Sequence, residues 1–299
     1  SPDGMIALLY FLNNPLFDVK AVTISYGEAH PEQFTPYVSQ LLENLGRVDI
    51  PVGYGMDAPL AGFNAFPDPW REGTEYFWGL PLQVSESTPA SVEAIPLIIE
   101  TISNSPTPVT LILTGSHTNL AGALHMDPSI AGNIREVFIM GGAVEVAGNI
   151  HSDWPEFENE TAEWNIWVDP TAASEVFGFG LNLHLIPLDA TRQVLWSRAD
   201  ASAWDSGGSP EGAMAADLLT MLLNAWEVES AYVWDLVAAV QSTLPSVCPE
   251  MPMLLQVITS PGPDEGRTME VEGVPNVLVC LEPDPLKVKG LVLSAFQQP

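Results

Sequence analysis

Apolar residues recur along the chain with helical spacing in some segments and strand spacing in others. The apolar stretch over residues 5–12 predicts a helix. The β-branched run over residues 19–24 predicts a short strand of the kind that is buried in parallel sheets. The next helix has one apolar face, formed by Phe34, Tyr37, Val38, Leu41, Leu42 and Leu45. It should end at Gly46, because glycine favours the helix C-terminus.

The same alternation continues through the first half of the chain. The patterns predict strands over residues 50–52, 109–113 and 136–140, and helices over residues 90–102 and 119–125. Repeated β-α-β alternation predicts an α/β fold with a mainly parallel, Rossmann-like sheet flanked by helices. Ligands of such folds bind at the carboxyl ends of the strands, so functional residues are expected just after each strand.

Three stretches depart from this alternation. Residues 55–88 and 144–161 are too long for ordinary connections and are predicted to be binding loops. From Leu254 onward, short strands separated by proline and glycine predict a small antiparallel extension, read as an edge hairpin on the same sheet. No linker of the Gly/Ser type interrupts the chain. We therefore expect a single domain over residues 1–299.

Composition excludes several classes of protein. Hydrophobic residues make up 46% of the chain and charged residues 16%, so the chain can build a core. The net charge of −29 repels phosphate backbones and excludes nucleic acid binding as a main role. The apolar runs are far shorter than the roughly 20 residues that cross a bilayer, so no membrane span is expected. The acidic, lysine-poor composition leans toward an extracytoplasmic location and leaves the compartment open.

The two cysteines restrict the fold only weakly. Cys248 and Cys280 are too few for a disulfide scaffold or a zinc site. The sequence leaves two alternatives open, which are a single bridge between them and two buried thiols.

Candidate chemistry follows the strands. No zinc-protease or serine-hydrolase motif occurs. The spacing from Gly141-Gly142 to Gly148 fits neither the dinucleotide-binding motif nor the P-loop. The strand over residues 109–113 is followed by Thr114-Gly115-Ser116-His117-Thr118-Asn119. Glu163-Trp164-Asn165 lies beyond the next strand. Carboxylates and amides can bind sugar hydroxyls and a hard cation, and aromatic rings can stack on a flat ring.

These motifs resemble those of the nucleoside hydrolase family, and they follow in the family's order. The resemblance runs from Asp3-Gly4-Met5-Ile6-Ala7-Leu8-Leu9 through LTGSHTNLA, IMGGA, GN, AEWNIWVDPTAA and PLDAT to Trp234-Asp235, and so covers nearly the whole chain. It implies Ca²⁺-dependent hydrolysis of the N-glycosidic bond of ribonucleosides, giving ribose and free base. It also implies a homodimer or homotetramer.

The resemblance implies roles for individual residues. Asp235 and the main-chain oxygen of Thr114 match metal ligands. The side chains matching the ribose-binding group are Asn149, Glu163, Asn165 and Met140. Glu163 and Asn165 are expected in extended backbone, where residues two apart point to one face.

The N-terminus departs from the family pattern. The family's first strand, with an Asp-x-Asp that includes the general base, has no counterpart here, and we expect the given chain to start inside a longer protein. Two alignments of the following acidic pair remain open. Asp3 either contacts the ribose, with Gly4 in place of a calcium ligand, or is itself the metal ligand.

The residues expected around the leaving base resemble the purine-preferring, inosine–adenosine–guanosine branch. Trp234 stands before Asp235, where the pyrimidine-tolerant branch has a histidine. A stacked indole can favour protonation of a purine leaving group. Trp70 is the candidate for a second stacking surface, with Trp78 in reserve, and Glu28 after the second strand also resembles this branch.

Two other classes compete with a purine-preferring hydrolase. Gly4 and the missing Asp-x-Asp favour a nucleoside- or sugar-binding homologue without turnover. A subunit that keeps the fold for association only is the third alternative.

Overall fold

The computed structural model describes residues 1–82 and 92–298. The helices are α1 Pro2–Asn13, α2 Pro31–Asn44, α3 Asp68–Glu75, α4 Ala94–Asn104, α5 Thr118–Met126, α6 Ile150–Asp153, α7 Trp164–Trp167, α8 Pro170–Gly178, α9 Leu188–Thr191, α10 Arg198–Asp205, α11 Pro210–Ala225, α12 Trp234–Thr243 and α13 Pro285–Phe296. The strands are β1 Val22–Ile24, β2 Val52–Tyr54, β3 Val92–Glu93, β4 Val109–Leu113, β5 Ile134–Met140, β6 Leu183–Ile186, β7 Leu195–Ser197, β8 Ser230–Tyr232, β9 Glu250–Met253, β10 Leu255–Val257, β11 Thr268–Glu270 and β12 Val277–Cys280.

The strands form a mainly parallel α/β architecture. The central sheet has the order β4-β5-β6-β12-β9, in which only β9, at the edge, runs antiparallel to its neighbour. A second sheet, β1-β2-β3, is parallel throughout. Helices flank both sheets, as α12 packs on β5 and α4 on β2. The predicted fold class is confirmed.

Several predicted elements appear with small shifts of boundary. The predicted helix over residues 5–12 is α1, and the predicted strand over residues 109–113 is β4 with the same bounds. Gly46 has a φ of 71°, which glycine adopts without a steric penalty, and it follows α2 as expected. The predicted strand over residues 19–24 is shortened to β1.

The predicted helix over residues 90–102 needs correction at its start. Val92 and Glu93 form β3 instead of the first turn of a helix, and α4 begins at Ala94. Residues 83–91, which include parts of that prediction and of the predicted loop over 55–88, lie outside the described residues.

The C-terminal strands do not form one edge hairpin. β10 and β11 pair as a separate antiparallel ribbon, whereas β12 lies parallel to β6 inside the central sheet. The antiparallel edge is β9, whose Pro252 is tolerated because an edge strand has one unpaired side.

A cavity of about 660 Å³ lies between the two sheets. β1 borders it on one side and β4 on the other, so their facing edges are not joined to each other. At the carboxyl ends of these strands the cavity reaches Gly4, Glu28, Thr114 and Asn165. Residues of the predicted site therefore meet at the edge of the sheet where ligands of α/β folds bind.

Cys248 and Cys280 form a disulfide, which decides between the two alternatives that the sequence left open. Both residues are buried, with 1% and 0% of their surface exposed. The bond connects the end of β12 to the segment that leads into β9. Among the described residues, no helix has the length and apolar character needed to cross a membrane.

His117 is buried in the core at the start of α5. It has no exposed surface, and within the described part of the chain neither ring nitrogen has a hydrogen-bond partner. Its ring packs edge-on against Phe177 at 6.1 Å. Burial disfavours the charged form and lowers the pKa of His117 to about 4.

We expect His117→Leu to make the protein less sensitive to acid. The unfolded chain takes up a proton at His117 near pH 6.5, whereas the folded protein does so only near pH 4. The wild type therefore loses stability as the pH falls from about 6.5 to about 4, by about 3 kcal/mol from this group. Urea unfolding of both proteins at pH 7 and pH 4.5 measures the difference. Equal losses in the two proteins would contradict the prediction.

Candidate active site

Three buried carboxylates and one half-buried carboxylate lie near the mouth of the cavity. Asp3, Glu163 and Asp235 expose 7%, 3% and 1% of their surface, and Glu28 lines the cavity beside them. Asp3 lies near enough to the other three that its charge raises their pKa values. The residues that the sequence predicted from distant motifs are therefore brought together.

Asp235 is the most strongly perturbed of these acids. It lies in the first turn of α12, and burial, followed by the charge of Asp3, raises its pKa well above the ordinary value. A Cβ placed on Gly4 would lie 3.1 Å from Asp235 Oδ2 and 3.7 Å from Thr114 Oγ1. Residue 4 therefore faces the space between the two residues that the resemblance assigns to the metal.

Glu163 is held by main-chain amides. Its Oε2 accepts hydrogen bonds from Gly142 N at 2.9 Å and Ile166 N at 3.3 Å, and its Oε1 accepts one from Asn165 N at 2.9 Å. Burial raises the pKa of Glu163 to about 7, although these hydrogen bonds act in the opposite direction.

The predicted extended backbone over Glu163 and Asn165 is wrong. Glu163 itself is extended, but it caps α7, and Asn165 lies inside the first turn of that helix. The Glu163 carboxylate accepts hydrogen bonds from the free N–H groups at the N-terminus of α7, and these bonds stabilise the first turn of the helix. The side chains of Glu163 and Asn165 nevertheless remain close, because the Glu163 carboxylate accepts hydrogen bonds from the first turn of the helix that contains Asn165.

The amide side chains lie beside Glu163. Asn165 Nδ2 donates to the Met140 carbonyl at 3.1 Å and contacts Met140 Sδ at 3.4 Å. Asn149 is buried, and its Oδ1 accepts from Trp164 N at 3.3 Å. Asn149, Met140, Glu163 and Asn165 thus form one connected group, in which Asn165 also lines the cavity.

Glu28 lies in the loop after β1, close enough to Asp235 that its charge raises the pKa of Asp235. Burial raises the pKa of Glu28 itself. Helix α3 fixes the loop, since Arg71 Nε donates to the Gly27 carbonyl at 3.1 Å and the Arg71 guanidinium lies 5.0 Å from the centre of the Tyr26 ring. The side chain of Thr74, also in α3, lies near enough to Glu28 to lower its pKa, against the larger effect of burial.

Trp70 and Trp78 occupy different surroundings. Trp70 packs against Trp164, the neighbour of Glu163, with ring centres 5.0 Å apart, and its ring is perpendicular to that of Trp154. Trp78 packs on Phe34 and Phe77 in the main core. The structure therefore gives the reserve candidate, Trp78, a packing role.

Trp234 lies next to Asp235 at the start of α12 and is partly buried. Its ring centre lies 5.7 Å from that of Tyr232 and 6.2 Å from that of Trp226. Its indole Nε1 is buried, and no partner for it occurs among residues 1–82 and 92–298. The exposed part of an aromatic group beside Asp235 can stack on a flat ring.

The oxygen donors suit a hard cation. The described residues include no group of three or more His, Cys, Asp or Glu side chains already arranged around one metal position. Carboxylates and carbonyl oxygens are nevertheless the ligands that calcium prefers, and Asp235 and Thr114 both lie next to the space at Gly4. Buried acids that raise one another's pKa values are stabilised by a cation. The donor set therefore suits a hard cation, with Gly4 contributing no ligand.

Several residues that shape this site were not identified from the sequence. Asp189 and Arg192 bind the main chain of the loop before Asn149, and Thr268 Oγ1 binds both main-chain groups of Ala143. Asp189 lies within the PLDAT motif, which was the available signal.

The chain is similar to known proteins over nearly its whole length. The model of the family described as inosine-uridine preferring nucleoside hydrolase matches residues 2–289. A curated relative from Citrobacter koseri, named pyrimidine-specific ribonucleoside hydrolase RihA, is 34% identical over 222 residues, which cover 74% of this chain and 68% of the relative.

Solved structures agree with this match. A plant nucleoside hydrolase superposes with a TM-score of 0.87 at 26% identity, covering 100% of this chain and 96% of the other. An inosine-uridine preferring nucleoside hydrolase from Bacillus anthracis gives a TM-score of 0.84 at 25% identity with the same coverage. With the family match over nearly its whole length, the chain belongs to the inosine-uridine preferring nucleoside hydrolase family.

Proposed function

We propose that this protein hydrolyses the N-glycosidic bond of ribonucleosides with calcium as its cofactor, giving ribose and free base. The observation that supports the proposal is the set of buried carboxylates at the cavity mouth, next to two amide side chains. Carboxylates and amides hold the hydroxyls of a sugar, and negative charge favours the positive charge that its ring develops during glycosidic cleavage.

Each residue has a distinct task in this proposal. Glu163, Asn165 and Asn149 bind and orient the ribose hydroxyls, and Met140 contacts the sugar. Asp3 binds the same sugar from α1. The carboxylates of Glu28, Asp3 and Glu163 stabilise the positive charge on the ring. The hydrogen bonds from main-chain amides to Glu163 keep this carboxylate in place before the sugar arrives, so binding requires little rearrangement.

Calcium would be held by the Asp235 carboxylate and the Thr114 carbonyl. Asp3 lies close by, in the first turn of α1. When bound, the cation supplies a Lewis acid for the attacking water. The proton of this water goes to the general base that the resemblance implies, the family's Asp-x-Asp, which residues 1–299 do not include. Asp3 precedes Gly4 in α1, and its charge lies close enough to Asp235 to raise the pKa of that carboxyl. The Asp3 carboxylate can therefore serve the ribose or the metal, as both alignments require.

Measuring ribose release tests this function directly. The full-length protein is incubated with inosine, guanosine and uridine, in calcium and in a chelator. Calcium-dependent release from any of them supports the proposal. Saturable nucleoside binding without release favours the binding homologue, and neither binding nor release favours a role in association only.

We further propose a preference for purine nucleosides, based on Trp234. An indole beside Asp235 offers a stacking surface, and a purine provides a larger face than a pyrimidine and a ring nitrogen that can be protonated. Trp70, packed on Trp164, is the second candidate surface. The curated relative named pyrimidine-specific points to the opposite preference, so the comparison of inosine with uridine decides between them.

We expect Trp234→Ala to lower kcat for inosine by about 10-fold or more, because base stacking on an aromatic side chain is worth about 1–3 kcal/mol. The kcat for uridine should fall less, so the ratio of kcat for inosine to kcat for uridine should become smaller. Steady-state kinetics of the wild type, Trp234→Ala and Trp234→His measure this ratio. Equal turnover of uridine and inosine by the wild type would exclude the purine preference and leave the hydrolase proposal intact.

A further inference from the structure

The loop from Gly142 to Gly148 connects two residues of the ribose-binding group. It runs from the end of β5, where Met140 lies, to Asn149 at the start of α6. Its middle part is exposed, with Val146 at 42% of its surface, so apolar burial contributes little to its conformation. Gly148 N and Asn149 N donate to the carbonyls of Glu160 and Ala162 at 2.8 and 3.0 Å, which hold Asn149 from one side. From the other side, its position depends on how the main chain of this loop is bound.

Two side chains from one short segment bind that main chain. Asp189 Oδ2 accepts from Val144 N at 2.9 Å, and Asp189 Oδ1 accepts from Glu145 N at 2.7 Å. Arg192 Nη1 donates to the Ala147 carbonyl at 2.9 Å, and Arg192 Nη2 donates to the Gly148 carbonyl at 3.3 Å. The carboxylate thus takes two consecutive N–H groups, and the guanidinium takes two consecutive carbonyls immediately before Asn149.

The segment that carries both side chains is itself rigid. Residues 188–191 of α9 are buried, with at most 7% exposure, and Leu188 N donates to the Gly142 carbonyl at 2.9 Å. Charge-assisted hydrogen bonds from a packed helix fix a loop more firmly than contacts between mobile side chains do.

We propose that Asp189 and Arg192 are positioning residues, which hold the loop so that Asn149 lies beside Glu163 and Asn165. The inference deepens the proposed function, since Asn149 has its assigned task only if the protein binds ribose. A lysine at position 192 keeps the charge but lacks the planar fork that spans two neighbouring carbonyls. An asparagine at position 189 keeps the shape but has one acceptor oxygen instead of two.

Kinetics of Arg192→Lys and Asp189→Asn test the proposal in the full chain. Each variant should lower kcat/KM by about 10-fold, because small displacements of substrate-positioning groups are costly. Arg198→Lys is the matched control, since Arg198 is exposed at the start of α10, and it should retain wild-type kinetics. All variants should unfold at the same urea concentration as this control.

A double-mutant cycle with Asn149 separates positioning from general damage. If Arg192 acts through Asn149, adding Arg192→Lys to Asn149→Ala should change kcat/KM by less than about 2-fold. A further 10-fold loss in the Asn149→Ala background, or wild-type kinetics in Arg192→Lys alone, overturns the inference.

Amide hydrogen exchange provides a readout that does not depend on turnover. Exchange over residues 141–149 should rise about 5-fold or more in Arg192→Lys and Asp189→Asn, and remain unchanged in Arg198→Lys. Unchanged exchange in the first two variants overturns the inference. If the wild type releases ribose from no nucleoside, the proposed function fails, while the exchange data still decide whether these residues hold the loop.

Discussion

Asp235→Ala is expected to abolish calcium binding and to lower ribose release by about 1,000-fold. Asp235 is almost fully buried in the first turn of α12, next to the space that faces Thr114 and Gly4. With glycine at position 4, the loss of the Asp235 carboxylate leaves few oxygen ligands in this space. Metal-ion catalysis supplies several kcal/mol of transition-state stabilisation, and about 4 kcal/mol corresponds to this loss of rate.

The same substitution should have the opposite effect on the calcium-free protein. The raised pKa of Asp235 shows that its charged form is disfavoured by burial and by the other acids. Removing it relieves that repulsion, so we expect Asp235→Ala to be at least as stable as the wild type in a chelator. The residue would then be retained for binding at a cost in stability.

Thermal unfolding with and without calcium measures both effects. At a calcium concentration of about 100 times Kd, binding should stabilise the wild type by about 2.7 kcal/mol, which raises Tm by about 5 °C. Asp235→Ala should show no such shift, and Asp205→Ala, at an exposed aspartate in α10, should keep it. An equal calcium shift in Asp235→Ala and the wild type would place the metal elsewhere.

Periodic apolar patterns predicted the regular elements well, because burial of one face determines both the pattern and the packing. The strand β4 and the helices α1 and α2 follow such patterns. β3 was not predicted, because two residues are too few to show a periodic pattern. Its pairing with β2 is a tertiary contact, which a local pattern does not report. The placement of β12 between β6 and β9 likewise depends on contacts across the sheet.

The site was predictable where motifs mark strand and helix ends. Glu28 and Glu163 follow the parallel strands β1 and β5, so the carboxyl-end rule explains their positions, whereas Asp3 and Asp235 reach the site on α1 and α12. The sequence pattern did not predict the helix that follows Glu163, because a capping carboxylate and a carboxylate in extended backbone look alike in a sequence. The hydrogen bonds of Asp189 and Arg192 join residues about 45 positions apart, and no local pattern reports such contacts.

Replacing Cys248 and Cys280 together by alanine is expected to lower the free energy of unfolding by about 4 kcal/mol. The bond closes a loop with a sequence separation of 32 residues, and loss of this restraint gives the unfolded chain more conformational freedom. The loop contains β9 and the β10–β11 ribbon, so the bond links the antiparallel edge to β12. Reduction should therefore loosen this region while leaving the carboxyl ends of β4 and β5 intact.

Urea unfolding under oxidising and reducing conditions separates the bond from the packing of its sulfur atoms. The wild type should lose about 4 kcal/mol when its disulfide is reduced, because no side-chain atom other than hydrogen is added or removed. The double alanine variant should resemble the reduced wild type and show no response to reductant. Any further deficit of the variant measures the lost packing of two buried side chains. A wild type whose unfolding midpoint is unaffected by complete reduction would show that the bond adds no stability.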